Sequence, residues 1–206
     1  MNKLLQSIFI LLALGCCCVT QAQVITEDTT TNAPFFAAKK FDSKCYVGFE
    51  AIPTQILKTK AAMNLGMNLN WVINHKFVVS AKYHLLTTPV NIRSIVAAAE
   101  TDTTPILLKH YFAGLAFSYI VCHNKNFSFQ PELAVGWGSA TYNDKKVRKD
   151  FAVIQPAVYG VYNATKYFRF GVGLNYRATI GGSLNGLKDA HLSGVGGVVF
   201  MRVGTF

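Results

Sequence analysis

Residues 167–177 read YFRFGVGLNYR, and large apolar side chains take every second position. The apolar set is Phe168, Phe170, Val172, Leu174 and Tyr176, and the polar or very small set is Arg169, Gly171, Gly173, Asn175 and Arg177. Successive side chains of a β-strand point to opposite faces. The stretch therefore predicts a strand with one apolar face and one polar face.

The same alternation returns along most of the chain, and short turns rich in Asn and Lys join the strands in pairs, at 74–76, 123–126 and 163–166. Strands are predicted at 44–53, 62–73, 77–87, 107–121, 127–142, 151–162, 167–179 and 192–206. Longer segments at 54–61, 88–106, 143–150 and 180–191 separate the pairs. Short turns on one rim and long loops on the other are typical of a transmembrane β-barrel. The pattern predicts an all-β fold, an up-and-down barrel of eight antiparallel strands.

The arginines indicate which face of the barrel meets lipid. An Arg or Lys on the lipid face costs about 2–4 kcal/mol near the midplane of the bilayer. If the strand at 167–179 slipped by one residue, Arg169 and Arg177 would face lipid and five large apolar groups would be hidden. The apolar face is therefore predicted to point outward. A soluble barrel has the reverse arrangement, and eight strands enclose too little room for these large side chains together with a ligand.

Two of the predicted strands alternate poorly. Residues 151–162 are apolar on both faces, and we place Pro156 outward by analogy with the proline of the Gln-Pro-Glu stretch at 130–132. In the last strand Arg202 is predicted to point inward, which would turn Phe206 inward as well. A bulge at Gly204 would return Phe206 to the outer face, because glycine tolerates the backbone that a bulge requires.

The composition also favours a membrane barrel. The 206-residue chain is 51% hydrophobic and only 15% charged, yet no stretch after residue 20 approaches the ~20 consecutive apolar residues of a membrane helix. A net charge of +10 would suit a nucleic-acid-binding protein, but the basic residues are dispersed except at 143–150. That segment falls in a predicted outer loop, where it is solvated or close to anionic lipid phosphates. We predict no nucleic-acid partner.

The first 22 residues have the features of a cleaved secretion signal. Lys3 supplies the positive charge, residues 4–14 are apolar, and the small residues around Ala22 form a cleavage site. The chain therefore divides into a signal peptide at 1–22, a flexible periplasmic lead-in at 23–43 and a barrel domain at 44–206. Lipid attachment at Cys16, after an imperfect lipoprotein box, is the alternative to simple cleavage.

The inward face carries the candidate site residues, which are Lys44, Glu50, Lys82, His84, His110, Glu132, Gln155, Arg169, Arg177 and Arg202. Charges inside a narrow barrel are poorly hydrated, so these residues are predicted to pair in a polar network that plugs the interior. The basic residues outnumber the two acids, which suggests ordered water, bound anions or side chains that reach a rim. An anion-preferring gate is the functional alternative to the plug.

Catalysis and metal binding have little support in the sequence. Asp189 and His191 share the last loop with Ser183 and Ser193, but such a group arises easily by chance in a polar segment. No pair of histidines has zinc-like spacing with further ligands. We therefore predict no enzymatic activity, no metal and no cofactor.

Four parts of the chain resemble one known group of proteins: the signal, the hairpin WVINHKF at 71–77, the strand at 167–177 and the chain end at 192–206. Together they resemble the small Gram-negative outer-membrane β-barrels, the porin-like group that includes the OmpX type and the OmpA membrane domain. The resemblance covers about residues 44–206 and implies that the protein lies in the cell outer membrane. In that group a C-terminal aromatic residue is the insertion signal read by the barrel-assembly machinery, and Phe206 occupies that position.

The function is the part that the sequence determines least. We expect an integral outer-membrane barrel with a structural or surface-interaction role and a largely plugged polar interior. Its expected partners are outer-membrane lipid, the barrel-assembly machinery during biogenesis and an unidentified surface partner. A narrow porin-like channel for small solutes is the alternative, and an outer-membrane lipid-modifying enzyme ranks third.

Overall fold

The computed structural model describes residues 43–56, 60–92, 106–123, 126–142, 147–183 and 188–205. The signal peptide at 1–22, nearly all of the lead-in at 23–43 and Phe206 lie outside the described residues, so the expectations about them stay predictions. No helix within the described ranges is long and apolar enough to cross a membrane.

Ten strands and one short helix are present in the described residues. They are β1 (Ser43–Ile56), β2 (Lys60–Ile73), β3 (Phe77–Leu86), β4 (Val90–Asn91), β5 (Leu107–Tyr119), β6 (Cys122–His123), β7 (Phe127–Tyr142), β8 (Val147–Asn163), β9 (Phe168–Ile180), α1 (Asp189–Leu192) and β10 (Gly194–Gly204). β4 and β6 have two residues each. Each of the remaining eight strands overlaps one of the eight predicted from alternation.

The eight long strands close into a barrel. Each pairs antiparallel with its neighbour in the chain, and β1 completes the ring by pairing with β10, where Val47 lies opposite Val203. Closure leaves no long strand with an unpaired edge, which is the condition for a sheet to span a membrane. The predicted fold class is confirmed.

The short turns follow from local sequence. Between β2 and β3, Asn74 and His75 both have positive φ values of 51° and 57°, and the amide of Lys76 donates to the carbonyl of Ile73 over 3.2 Å. Two successive positive φ values are typical of the hairpin turns that match strand twist, and Asn tolerates them well. Asn74 thus suits the backbone geometry of this hairpin turn.

The predicted faces are confirmed. On β9 the outward Leu174 is 61% exposed, whereas the inward Asn175 and Arg177 are each 7% exposed. On β8 Pro156 points outward and Gln155 is buried, and on β10 Arg202 is buried. The barrel therefore has its apolar side chains outside, which is the reverse of a soluble ligand-binding barrel.

Aromatic side chains gather at both ends of this outer surface. Toward the short turns the ring centroids of Phe77 and Tyr119 are 5.0 Å apart, and those of Phe127 and Tyr162 are 5.1 Å apart. Toward the long loops Trp137 is exposed on β7. Aromatic belts of this kind flank the apolar band of transmembrane barrels at the two lipid–water interfaces.

Several boundaries differ from the prediction. β1 and β2 remain paired as far as Ile56 and Lys60, so most of the predicted loop at 54–61 is strand, and β8 begins at Val147 instead of residue 151. Ladder hydrogen bonds join backbone groups and do not require apolar side chains, so pairing continues beyond the alternating pattern. β10 begins two residues late because α1 takes up residues 189–192.

The interior is more apolar than the sequence suggested. Near the short turns Tyr46, Val72, Val78 and Ile120 form a buried cluster. The half nearer the long loops holds a larger apolar cluster that includes Ile56, Ile92, Leu108, Phe151 and Leu192 of α1. Apolar clusters therefore lie toward both ends of the polar network.

Candidate functional site: the polar interior of the barrel

A single ammonium group lies at the centre of the polar interior. The Nζ atom of Lys82 on β3 lies 3.1 Å from Oε1 of Glu50 on β1 and 2.6 Å from Oε1 of Glu132 on β7. It also donates to the hydroxyl of Tyr159 on β8 over 3.2 Å, and that hydroxyl donates to Glu132 over 2.8 Å. Four strands from different parts of the wall are thus joined across the lumen, and we call these four residues the central cluster.

The second oxygen of Glu50 and the walls of β2 and β3 extend this cluster. The Nε2 atom of His84 lies 3.1 Å from Oε2 of Glu50, and the amide nitrogen of Asn68 donates to Oε1 of the same carboxylate over 2.6 Å. Asn70 donates to Asn68 and accepts a hydrogen bond from Ser80 over 2.6 Å. A continuous line of hydrogen bonds therefore runs from the central cluster toward the short turns.

Arg202 forms a second polar group on the short-turn side of the central cluster. Its Nη1 atom donates to Oε1 of Gln130 over 2.7 Å, and the amide of Gln130 donates to the hydroxyl of Ser118 over 2.5 Å. The guanidinium lies 4.2 Å from the ring centroid of Phe200 and 5.3 Å from that of Tyr46. Flat aromatic surfaces and one amide oxygen thus surround this cation, an environment in which Arg is stabilised by cation–π attraction.

Arg177 lies on the other side of the central cluster, toward the long loops. Its Nε atom donates to the carbonyl of Leu192 in α1 over 2.9 Å, whereas its Nη2 atom is buried and has no hydrogen-bond partner within the described residues. The side chain borders a cavity of about 10 Å³, which is also lined by Ile52, Thr54, Asn64, His84, Gln155 and Asn175. A cavity of this size has room for about one water-sized particle.

Apart from His110, the candidate site residues fall into four groups. Glu50, Lys82, His84 and Glu132 meet in one network, while Arg202 bonds to Gln130. Gln155 and Arg177 line the cavity. Lys44 and Arg169 occupy inward-facing positions of their strands but are only half-buried, close to the short turns.

His110 is inward and buried, yet neither ring nitrogen has a hydrogen-bond partner in the described part of the chain. Its ring stacks on that of Phe151, with centroids 5.6 Å apart and an interplanar angle of 14°. His110 therefore packs against the apolar cluster near the long loops.

Sequence reasoning missed Tyr159, Asn68 and Gln130 as members of the network. Tyr159 was missed because β8 is apolar on both faces. The available signal was its spacing from Gln155, which places both side chains on the same face of the strand. Asn68 and Gln130 are buried on the inward face but carry no charge, so a search for inward charged residues does not find them. Their position beside buried charges supplies the neutral hydrogen bonds that such charges require.

The polar residues of the last loop form local caps. The carboxylate of Asp189 accepts hydrogen bonds from the amides of Gly181, over 3.1 Å, and Gly182, over 2.5 Å. Nδ1 of His191 accepts from the amide of Lys188 over 3.1 Å, and the hydroxyl of Ser193 donates to the carbonyl of Asp189 over 2.9 Å. These side chains stabilise the turn around α1. Within the described residues no group of His, Cys, Asp and Glu is arranged to hold a metal ion.

Comparisons with known proteins identify the fold. No protein-family model matches the chain, and no curated protein matches it. The crystal structure of Neisserial surface protein A (NspA) matches with a TM-score of 0.55 at 13% identity, over 80% of this chain and 97% of that protein. The crystal structure of Ail, the attachment invasion locus protein of Yersinia pestis, in complex with the heparin analogue sucrose octasulfate matches with a TM-score of 0.50 at 11% identity. This match covers 82% of this chain and 100% of Ail.

These neighbours confirm the sequence resemblance at the level of fold. NspA and Ail align over nearly their whole length with the barrel of this chain. The closed barrel of eight long strands, with its apolar band and aromatic belts outside, is that of a small outer-membrane β-barrel.

Proposed function

We propose that the protein is an integral barrel of the outer membrane that does not conduct solutes and acts through its surfaces. Its outer wall would contact lipid, and its long-loop rim would contact surface partners. The observation that carries the proposal is the central cluster, in which Lys82 joins Glu50, Glu132 and Tyr159 across the lumen.

A passing solute would have to separate these groups. The Lys82 and Glu132 side chains are each 1% exposed, and breaking a buried ion pair leaves a charge without compensation, at a cost of about 3–5 kcal/mol. The apolar clusters toward the two ends of the lumen add to this barrier, because water and ions enter apolar surroundings unfavourably. The central cluster and these apolar clusters together favour a closed interior over a narrow channel.

The described part of the long-loop rim favours contact with anionic surfaces. Lys60, Lys109, Arg148 and Lys188 are all exposed there. Exposed basic residues attract anionic groups at long range. The structural neighbour Ail is itself described with a heparin analogue. A surface-interaction role for this chain is in keeping with both observations.

Electrical recording tests the closed interior. The purified protein is refolded, inserted into a planar bilayer, and recorded at both polarities. We expect no steady openings, while heat-modifiable mobility on gels and protection from protease show that the protein is folded and inserted. Steady openings of uniform size would favour the channel for small solutes. Hydrolysis of phospholipid or lipid A that is lost in His191→Ala would favour the enzyme.

A further inference from the structure

We propose that the cavity beside Arg177 binds a small monovalent anion such as chloride. The cavity is lined by Arg177, Thr54, Asn64, His84, Gln155, Asn175 and Ile52. This inference goes beyond the surface role proposed above, because it concerns an internal ligand that holds the barrel together.

The first argument is the balance of buried charge. The central cluster contains two carboxylates, Glu50 and Glu132, and one ammonium, Lys82. Arg202, whose guanidinium donates to Gln130, is a second buried cation in this part of the interior, so two negative charges are accompanied by two positive charges. This part of the interior therefore offers no surplus negative charge to Arg177.

Arg177 is a further buried cation outside that balance. It is 7% exposed, and no carboxylate of the described residues lies within ion-pair distance of its guanidinium. Among the described residues, its hydrogen-bond partner is the neutral carbonyl of Leu192. A buried charge that has no counter-charge is strongly disfavoured. A bound anion would remove this penalty, whereas a water molecule would supply a hydrogen bond but no charge.

The second argument is the chemistry of the cavity lining. The buried Nη2 atom of Arg177 still has a free donor, and three carboxamides, Asn64, Gln155 and Asn175, surround the same space. Each carboxamide can turn its NH₂ group toward an anion, since a flip exchanges donor and acceptor. Neither carboxylate of the central cluster lines the cavity. One guanidinium and several neutral donors in a space for about one water-sized particle suit a monatomic anion.

Bromide reports the site directly, because it replaces chloride and scatters anomalously. We expect crystals of the protein grown in bromide to show an anomalous peak in the cavity beside Arg177. We also expect the midpoint of thermal unfolding in detergent to rise by about 3–6 °C for each tenfold increase in chloride above its dissociation constant, relative to gluconate at equal ionic strength.

Two variants link the effect to the site. Arg177→Met removes the charge and keeps a long side chain, and it should abolish the response to chloride. Arg148→Met removes an exposed arginine of the rim and should keep the response. The proposal is overturned if the wild-type midpoint is equal in chloride and gluconate, if the cavity holds water only in bromide crystals, or if Arg177→Met responds like the wild type. If Arg177→Met does not fold, the proposal is tested by the bromide peak and by the chloride dependence of the wild-type midpoint.

Discussion

At the scale of single residues, the interior depends on a few buried charges with several partners each. Lys82 contacts groups that lie 32, 50 and 77 positions away in the chain. Each contact satisfies a donor of the ammonium that water would otherwise satisfy. A change of any one partner should therefore affect the stability of the whole barrel.

Glu132→Gln tests this dependence. The amide oxygen can still accept from Lys82 and Tyr159, but one negative charge of the central cluster is lost. We expect the free energy of unfolding to fall by about 3 kcal/mol, because a buried cation becomes under-compensated. The measurement is the midpoint of thermal unfolding in detergent, together with bilayer conductance, which should not change.

Asp150→Asn is the matched control for that variant. It removes a carboxylate from an ion pair with Arg148 whose side chains are 57% and 55% exposed, and solvent-exposed pairs contribute little. Its midpoint should stay close to that of the wild type. A large change of conductance in Glu132→Gln with an unaltered midpoint would contradict the structural role of the cluster.

At the scale of strands, the pairing of β5 with β7 depends on two facing glycines. Gly114 and Gly136 lie opposite each other on the inward face. A Cβ atom at Gly136 would overlap the carbonyl of Ala113 and the Cα of Gly114. Both obstacles are backbone atoms, which cannot move without disturbing the ladder.

Gly136→Ala should therefore destabilise the barrel by about 1–3 kcal/mol, the range that overpacking usually costs. The fraction of folded protein on unheated gels and the thermal midpoint both report this loss. Gly160→Ala on the adjacent β8 is the control, because its Cβ would point outward and meet nothing closer than the carbonyl of Val172 at 3.9 Å. Equal stability of the two variants would contradict the close approach of β5 and β7 at Gly114 and Gly136.

At the scale of the whole molecule, the outer wall is a continuous apolar surface around the closed sheet. Val172, Leu174, Val199 and Leu133 are among its exposed members. Monomeric soluble proteins rarely expose so large an apolar area. Acyl chains are the environment in which such a wall is stable.

Leu174→Arg tests that environment. A guanidinium in the middle of the lipid face should reduce the free energy of folding into bilayers by about 2–4 kcal/mol, as in other barrels. Ala164→Arg places the same charge in an exposed short turn and should leave folding into bilayers nearly unchanged. If both variants fold equally well into lipid vesicles, the outer face of β9 does not meet lipid.

The sequence alone was enough to predict eight strands, their faces and the short turns at 74–76 and 163–166. These features depend on neighbouring residues: alternation in 167–177 specifies two faces, and Asn74 favours the positive φ of a hairpin turn. Strand ends were predicted less well. β8 continues to Val147 because backbone pairing does not need the apolar pattern from which the strand was predicted.

Only the tertiary structure decided which inward residues meet. Closure of β1 on β10 and the register of all eight strands place Glu50, Lys82, Glu132 and Tyr159 at one level of the lumen, and they leave Arg177 beside a cavity away from any carboxylate of the described residues. Alternation specifies which side chains point inward, but not the level of the lumen at which each one lies or which residue it contacts. Those depend on the stagger between strands, which is a property of the closed barrel and not of any one segment.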